Sequence, residues 1–233
     1  MDNDGIPKIS VPCTDGLKLN LNNEKLIDLY EYSNGEIICS MEYFKQGING
    51  AVNHAYVRES VAQRLMQARM LLPDGYTFKI FDAWRPYEVQ YKLYYDYFNK
   101  LANQENNSGL SDEQLRKKAA DFVSYPDKSK KISYVHSTGG AVDLTVADKN
   151  GKELDMGTGF DSFYENSHTA FYEVHADMNE TAKENRRLLY EVMVSCGFTN
   201  LPTEWWHYDF GDSFWSALTG NDVLYESIYN LEF

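Results

Sequence analysis

Two short segments, about sixty residues apart, carry the side chains best suited to catalysis. The first runs from His136 to Asp143, and the second runs from Glu204 to His207. A catalytic zinc typically takes three protein ligands from His and Asp or Glu and leaves a fourth position for water. His136, Asp143 and His207 meet that requirement. Glu204 then remains available for proton transfer, so the two segments together predict a zinc peptidase.

The spacing within the first segment calls for a bend. His136 and Asp143 are seven residues apart, and one continuous strand would place them on opposite faces. Gly139-Gly140 can supply the bend, because glycine adopts backbone angles that other residues avoid. We therefore predict His136 on a loop and Asp143 on a strand that begins at Ala141. A long helix through both glycines is less favoured, because each mid-helix glycine costs about 1 kcal/mol.

The second segment also needs an irregular backbone. Glu204 and His207 are three residues apart and cannot share one face of a regular strand. A bulge, or a turn after Pro202, would let both side chains reach one centre. The alternative is an aromatic core strand, Glu204-Trp-Trp-His207, in which the histidine is hydrogen-bonded. Each segment alone favours a structural role, whereas two His, one Asp and a spare Glu together favour a metal.

The elements that must position these residues are predicted from hydrophobic spacing. Apolar stripes predict helices over residues 59–72, 87–101 and 180–196, and a capping box at Ser111–Gln114 predicts a helix through residue 123. Strands are predicted at residues 26–30, 36–40, 76–81, 141–146, 198–201 and 204–210, with a hairpin turn at 148–151. Together they indicate an α+β fold, with a central, mostly antiparallel sheet flanked by helices and the zinc site at the sheet.

Length and composition restrict the class of protein. The 233 residues are predicted to form one domain, on which residues 1–40 pack as an irregular N-terminal segment. A net charge of −13 argues against nucleic acid, which requires a basic face. No apolar stretch is long enough to span a bilayer. The sequence is compatible with a homo-oligomer.

Location is predicted from the cysteines and the first residues. Cys13, Cys39 and Cys196 lie far apart and outside any CxxC motif, so we predict three small buried residues in a reducing cytoplasm. The segment from Met1 to Pro7 lacks the basic and apolar regions of a signal peptide. An exported protein whose leader had been trimmed would look the same.

Arg85 is a further candidate because of its position. It lies between a predicted buried strand and a helix that begins after Pro86, so a rigid base would support its side chain. A structural salt bridge is the less favoured alternative.

These residues belong to a longer pattern. His-x-x-Gly-x-Ala-x-Asp followed by Glu-x-Trp-His resembles the zinc D,D-peptidase family of bacterial cell-wall metabolism. Four segments, in matching order over roughly residues 40 to 210, are similar to the D-alanyl-D-alanine dipeptidases of the vancomycin-resistance type. They are Asp82–Pro86, His136–Asp143, Asp155–His168 and Asn185–Tyr208. This order is far more specific than one short motif.

The resemblance implies a role for each matching residue. It implies that His136, Asp143 and His207 bind one zinc ion. It makes Glu204 the catalytic base, and Arg85 the residue that steadies the reacting carbonyl oxygen. Chemistry agrees, because a bound zinc lowers the pKa of its water to about 7 and Glu204 could pass the proton to the departing amine.

Three further residues are candidates for substrate binding. The resemblance places Asp161 near the substrate's amino end, and the alternative is a turn residue that follows Gly159. Tyr134 stands where family members commonly have Ser, which implies a change in substrate affinity or preference. His168 is either a substrate contact or a residue that stabilises its loop through a hydrogen bond.

The resemblance implies a small dipeptide, D-alanyl-D-alanine, as the substrate. A D,D-carboxypeptidase or peptidoglycan endopeptidase that acts on longer wall peptides is the alternative with the same chemistry. The segment Asp155–His168 favours the dipeptide, because it would narrow the cleft. A third hypothesis is a metal-free or zinc-stabilised binding module. Glu204 and Arg85 argue against it, because a structural zinc is usually closed by four protein ligands.

Overall fold

The computed structural model describes residues 5–120 and 122–231 of the chain. The strands are β1 (Leu26–Asp28), β2 (Ile38–Cys39), β3 (Tyr56–Arg58), β4 (Tyr76–Asp82), β5 (Ala141–Asp148), β6 (Thr199–Asn200) and β7 (His207–Asp209). The α-helices are α1 (Leu29–Tyr32), α2 (Glu42–Lys45), α3 (Glu59–Arg69), α4 (Tyr87–Ala102), α5 (Asp112–Ala120), α6 (Phe171–Val174), α7 (Glu180–Ser195) and α8 (Ser213–Thr219). Short 3₁₀ helices cover Glu105–Asn107, Val135–Thr138 and Glu165–Ser167.

A five-stranded sheet forms the centre, with the strand order β2-β4-β5-β7-β6. The β2–β4 pair is parallel and the other pairs in this sheet are antiparallel. Side chains of the sheet, α3 and α7 share one core, which includes Leu65, Leu144 and Leu189. Helices α4 and α5 form a second apolar cluster around Tyr94 and Leu115. The predicted α+β class with a mostly antiparallel sheet is confirmed.

The longer helices form where the apolar stripes predicted them. Helices α3, α4 and α7 end within three residues of the predicted bounds, because such stripes mark the face that packs on the core. The capping box before α5 is present: the Ser111 N–H donates to Gln114 Oε1 (2.8 Å), and the Gln114 N–H donates to Ser111 Oγ (3.3 Å). Asp121, within the predicted end of this helix, lies outside the described residues.

The N-terminal strands are shorter than predicted. The strand predicted over 26–30 ends at Asp28, whose carboxylate accepts the Tyr30 N–H (2.9 Å) and starts α1. Strand β1 pairs with β3, whereas β2 joins the central sheet beside β4.

No helix in the described part of the chain is both long and apolar enough to cross a membrane. The three cysteines are free. Cys196 is buried as predicted, whereas Cys39 is half-buried and Cys13 is exposed.

The predicted bend between His136 and Asp143 is confirmed. Gly139 ends the 3₁₀ helix with a φ of 73°, in the left-handed region that favours glycine, and β5 begins two residues later. Gly140 is needed for a different reason. A Cβ atom on Gly140 would lie 2.5 Å from the backbone oxygen of Phe210, so the chain after β7 approaches β5 at a distance that only glycine permits.

We therefore expect Gly140→Ala to destabilise the fold by about 1–3 kcal/mol, the usual cost of overpacking. The added methyl group would push apart the segments that carry Asp143 and His207, so metal affinity should fall as well. Thermal unfolding and metal titration measure the two effects. Gly109→Ala is the matched control, because a Cβ atom there meets no atom within 4 Å. Equal unfolding temperatures for the two variants would contradict the close approach.

Candidate metal centre

Neighbouring strands bring the three predicted ligands together. Asp143 on β5 is paired directly with His207 on β7, and His136 reaches the same point from the 3₁₀ helix before β5. Their candidate ligand atoms all lie within 4.8 Å of one another. The residues are 4%, 2% and 3% exposed for His136, Asp143 and His207. The structure therefore places these side chains around one buried point, as the sequence predicted.

The atoms that face this point are two ring nitrogens and one carboxylate. His136 Nε2 lies 3.3 Å from His207 Nδ1, and Asp143 reaches both rings, at 3.3 Å and 3.0 Å. The opposite ring nitrogens are held elsewhere: His136 Nδ1 by the Ala83 carbonyl and His207 Nε2 by Asp209, each at 2.8 Å. Such outer partners orient metal-binding histidines. Two imidazoles and a carboxylate form the ligand set of an open, catalytic zinc site.

The electrostatics of the group also suit a cation. Burial opposes a charged ring, yet the Asp209 and Asp143 carboxylates hold the pKa of His207 well above its ordinary value. Burial likewise opposes ionisation of Asp143, but His136 and His207 hold its pKa below the usual range. The site thus stabilises positive charge between its acidic groups. A bound divalent ion would supply that charge in place of a proton.

Glu204 lies in a turn rather than on a strand. Its N–H donates to the Leu201 carbonyl (3.0 Å), and the His207 N–H donates to the Glu204 carbonyl (3.3 Å). The strand predicted over 204–210 therefore begins only at His207. Of the two predicted ways to bring Glu204 and His207 to one centre, a bulge or a turn, the chain uses the turn. The Glu204 side chain lines the cavity above the candidate ligands, and burial raises its pKa to about 8. Its carboxylate makes no hydrogen bond within residues 5–120 and 122–231.

Arg85 lines the same cavity and also forms the structural salt bridge that was the alternative prediction for it. Its Nε donates to Asp82 Oδ2 (2.7 Å), and its Nη2 lies 3.3 Å from Asp143 Oδ2. Its Nη1 donates to Gln90 Oε1 (2.8 Å), and the guanidinium lies over the Tyr43 ring, 5.0 Å from the centroid. One guanidinium thus combines a buried salt bridge with a position beside the metal ligands.

The loop that carries Asp161 reaches the cavity in a strained conformation. Asp161 has a φ of 58°, which is uncommon for a residue other than glycine. Burial raises its pKa to about 7, and its side chain lines the cavity. Arg186 of α7 anchors the loop by donating to the carbonyls of Met156, Asn166 and His168 at 2.7–2.8 Å. Asp161 therefore adopts the conformation of a turn residue and also lines the cavity, so it has features of both predicted roles.

The cavity itself is small, with a volume of about 90 Å³. Drug-sized ligands occupy roughly 300–1,000 Å³. Part of its wall is formed by Tyr97, Phe122 and Phe163, whose ring centroids lie 5.5–6.0 Å apart. Phe163 comes from the segment predicted to narrow the cleft, and the cavity size fits that prediction.

The two other predicted substrate residues lie in different places. Tyr134 lines the cavity, but its hydroxyl donates to the Arg85 carbonyl (2.9 Å) and so supports that residue. The structure does not bring His168 to this cavity. His168 lines a separate groove beside residues 6–11, and its carbonyl accepts one of the Arg186 bonds.

Three residues at the site were not among those predicted from the sequence. Asp82 neutralises Arg85, Tyr43 packs against its guanidinium, and Asp209 holds the outer nitrogen of His207. Asp82 begins one of the four segments that resemble the family, and Asp209 lies two residues after a candidate ligand, so both carried a local signal. Tyr43 carried none, because only the folded chain brings α2 to the site.

Known proteins resemble this chain over most of its length. A family profile described as D-ala-D-ala dipeptidase matches residues 44–225. A D-alanyl-D-alanine dipeptidase of Synechocystis sp. is 31% identical over 175 residues, which cover 69% of this chain and 71% of that protein. One from Enterococcus faecium is 32% identical over 160 residues, covering 67% of this chain and 74% of that protein.

One solved structure, VanYB in complex with D-Alanine-D-Alanine, aligns with 92% of this chain and 93% of its own, with 16% identity and a TM-score of 0.48. The family assignment rests on the sequence matches, because the profile spans most of the chain and includes every site residue that was predicted from the sequence. The chain belongs to the D-ala-D-ala dipeptidase family of peptidases.

Proposed function

We propose that the protein is a zinc-dependent dipeptidase that hydrolyses D-alanyl-D-alanine. The observation that carries the proposal is the convergence of His136, Asp143 and His207 in a small cavity that Glu204 and Arg85 also line. Membership of the family and the activity named for the relatives support the same substrate.

His136, Asp143 and His207 would hold the zinc, which when bound acidifies water and polarises a carbonyl group. Glu204 accepts the proton of the attacking water and delivers it to the leaving nitrogen. An efficient general base has a pKa near the operating pH. Burial raises the pKa of Glu204 to about 8, and a zinc ion held by the three ligands would lower it again by charge attraction.

Arg85 supplies positive charge where the carbonyl oxygen becomes negative. Its guanidinium is fixed on Asp82 and Gln90, so it needs little rearrangement during the reaction. Preorganised donors of this kind stabilise an oxyanion because their orientation is set before the reaction begins.

Asp161 is our candidate for the substrate's ammonium group. A free dipeptide is a zwitterion. Burial raises the pKa of Asp161 to about 7 although Arg85 opposes that effect, so the ionised carboxylate would gain from a further counter-charge. A bound ammonium would provide one. The small cavity fits a small substrate, and the activity named for the relatives favours the dipeptide over longer wall peptides.

We also propose one catalytic domain over residues 1–233 and a cytoplasmic location. The location is supported by three cysteines that form no disulfide, as expected in a reducing compartment. A homo-oligomer stays a hypothesis.

The function is tested by measuring zinc content and peptide cleavage on one preparation. Purified protein is expected to contain one zinc per chain, to lose turnover on chelation and to regain it with added zinc. Incubation with D-Ala-D-Ala should release free D-alanine, whereas a pentapeptide stem should remain intact. Cleavage of the stem alone would replace the dipeptidase with a D,D-carboxypeptidase. Absence of zinc binding would overturn the metal site.

Asp161→Asn should raise KM for D-Ala-D-Ala by about tenfold to a hundredfold, because a charge-assisted hydrogen bond contributes roughly 1.5–3 kcal/mol. N-acetyl-D-Ala-D-Ala lacks the ammonium, so the variant and the wild type should treat it alike. Asp177→Asn removes an exposed charge and serves as the control. An unchanged KM for the free dipeptide would leave Asp161 as a turn residue.

A further inference from the structure

The two candidate histidine ligands are supported in different ways. His136 donates its outer N–H to the neutral Ala83 carbonyl, whereas His207 donates its outer N–H to the Asp209 carboxylate, each at 2.8 Å. Asp209 lies two residues after His207 on β7 and is fully buried. Asp82 Oδ2 lies farther from His136 Nδ1, at 3.4 Å, and is paired with Arg85. A carboxylate is therefore the direct hydrogen-bond partner of the outer nitrogen at His207 only.

Asp209 has a second carboxyl group beside it. Asp212 is also fully buried, and its Oδ1 accepts the Trp215 N–H (3.1 Å) at the start of α8. Oδ2 of Asp209 and Oδ2 of Asp212 are both buried, and neither finds a hydrogen-bond donor in the described chain. Two buried acceptors without donors would be costly.

One proton between the two carboxyl groups satisfies both atoms. The side chains of Asp209 and Asp212 are within hydrogen-bonding reach of each other. Asp209 already accepts the N–H of His207 Nε2 through Oδ1 (2.8 Å), so Asp212 is the group that carries the shared proton. Burial, which raises the pKa of Asp212, agrees with this assignment. Asp212 then donates to Asp209, which in turn accepts from His207 Nε2.

We infer that Asp209 and Asp212 form a carboxylate–carboxylic acid pair that holds His207 with Nε2 protonated and Nδ1 directed at the metal. Both are positioning residues, and the inference rests on the proposed zinc site. Asp209 selects the tautomer, because its carboxylate can only accept a hydrogen bond. Asp212 holds Asp209 in place and limits the pair to one negative charge.

The pair should strengthen metal binding more than catalysis. A carboxylate behind a ligating imidazole fixes the orientation of the ring and raises its basicity, and loss of such a partner typically costs about 10–100-fold in metal affinity. Asparagine at position 209 lacks the charge. It can also present its NH₂ group to His207, which would favour the tautomer that places a proton on Nδ1 and blocks the metal.

The test is the zinc dissociation constant of the full chain, measured by competition with a chelator. We expect Asp209→Asn to weaken binding by about 10–100-fold. Asp212→Asn should leave the constant unchanged, because its amide can donate to Asp209 Oδ2 while its oxygen still accepts the Trp215 N–H. Asp212→Ala should weaken binding, because the donor is lost. An unchanged constant in folded Asp209→Asn overturns the inference, and an unchanged constant in Asp212→Ala removes Asp212 from it.

Asp28→Asn is the matched control, because Asp28 also pairs with a histidine, His54 (2.6 Å), and also caps a helix, but away from the site. Its zinc affinity should equal that of the wild type. Should Asp209→Asn fail to fold, NMR of zinc-loaded wild type decides: a one-bond proton–nitrogen coupling at His207 Nε2 is expected, and zinc on Nε2 contradicts the inference. Neither readout uses turnover, so a failure to cleave D-Ala-D-Ala would overturn the proposed function without affecting this comparison.

Discussion

Glu204→Gln is expected to lower kcat for D-Ala-D-Ala by roughly 10²–10⁴-fold, the usual contribution of a general base. Zinc should stay bound in this variant. The amide has the same shape as the carboxyl group but cannot accept the proton of the attacking water. Steady-state kinetics, together with the zinc content of the same sample, measures the effect. Full turnover in a zinc-loaded variant would assign the base to another group.

Stability separates this loss from damage to the fold. The Glu204 carboxylate makes no hydrogen bond to another described residue, so glutamine breaks none. Burial raises the pKa of Glu204 to about 8. In the folded, metal-free protein the Glu204 carboxyl group therefore keeps its proton up to about pH 8. In the unfolded chain the same group loses its proton above the ordinary pKa of a glutamate. The contribution of Glu204 to the free energy of unfolding therefore falls as the pH rises towards 8. Glutamine removes that dependence, so the metal-free variant should unfold at an equal or higher temperature. Glu191→Gln, on the exposed face of α7, should change neither quantity.

Arg85→Ala has two effects that can be separated. It leaves Asp82 buried without its partner, and breaking a buried ion pair in this way costs about 3–5 kcal/mol. For a chain of this size, that corresponds to a fall in Tm of roughly 6–20 °C. It also removes a positive donor from the reacting oxygen, a loss on the order of 3 kcal/mol, or about a hundredfold in kcat.

The double variant Arg85→Ala/Asp82→Asn distinguishes the two roles. Neutral asparagine needs no counter-charge, so much of the lost Tm should return, whereas kcat should stay low. Asp82→Asn alone is the control, because it keeps the guanidinium with Asp143 and Gln90. Recovery of kcat together with Tm in the double variant would reduce Arg85 to a structural salt bridge.

Local backbone chemistry explains which predictions could be made from the chain alone. The bend at Gly139, the capping box at Ser111 and the stripes of α3, α4 and α7 each depend on residues close in sequence. Hydrogen bonds and side-chain spacing within one element decide such features before any long-range contact forms. The residue types of the ligands could also be predicted from the sequence, because a zinc ion requires particular donor atoms.

Pairing between distant segments decided the rest. The segment that follows Glu204 is held by distant partners, because the Trp205 N–H donates to the Ser167 carbonyl (3.1 Å) and His207 pairs with Asp143. The short β1 pairs with β3 rather than with β2. His168 lies in the motif that narrows the cleft, yet the path of the loop takes it to another groove. A sequence pattern cannot distinguish such paths, because they follow from how the whole chain packs.

The amino-acid sequence by itself determined which atoms are available: two imidazoles, a ligating carboxylate, a spare glutamate and an arginine at a strand-to-helix junction. Only the tertiary structure decided their shared geometry. The β5–β7 register sets Asp143 against His207, the missing Cβ of Gly140 lets Phe210 approach, and Asp209 fixes which nitrogen of His207 faces the centre. Strand register and close packing involve residues far apart in the chain, so these distances exist only after the sheet has formed.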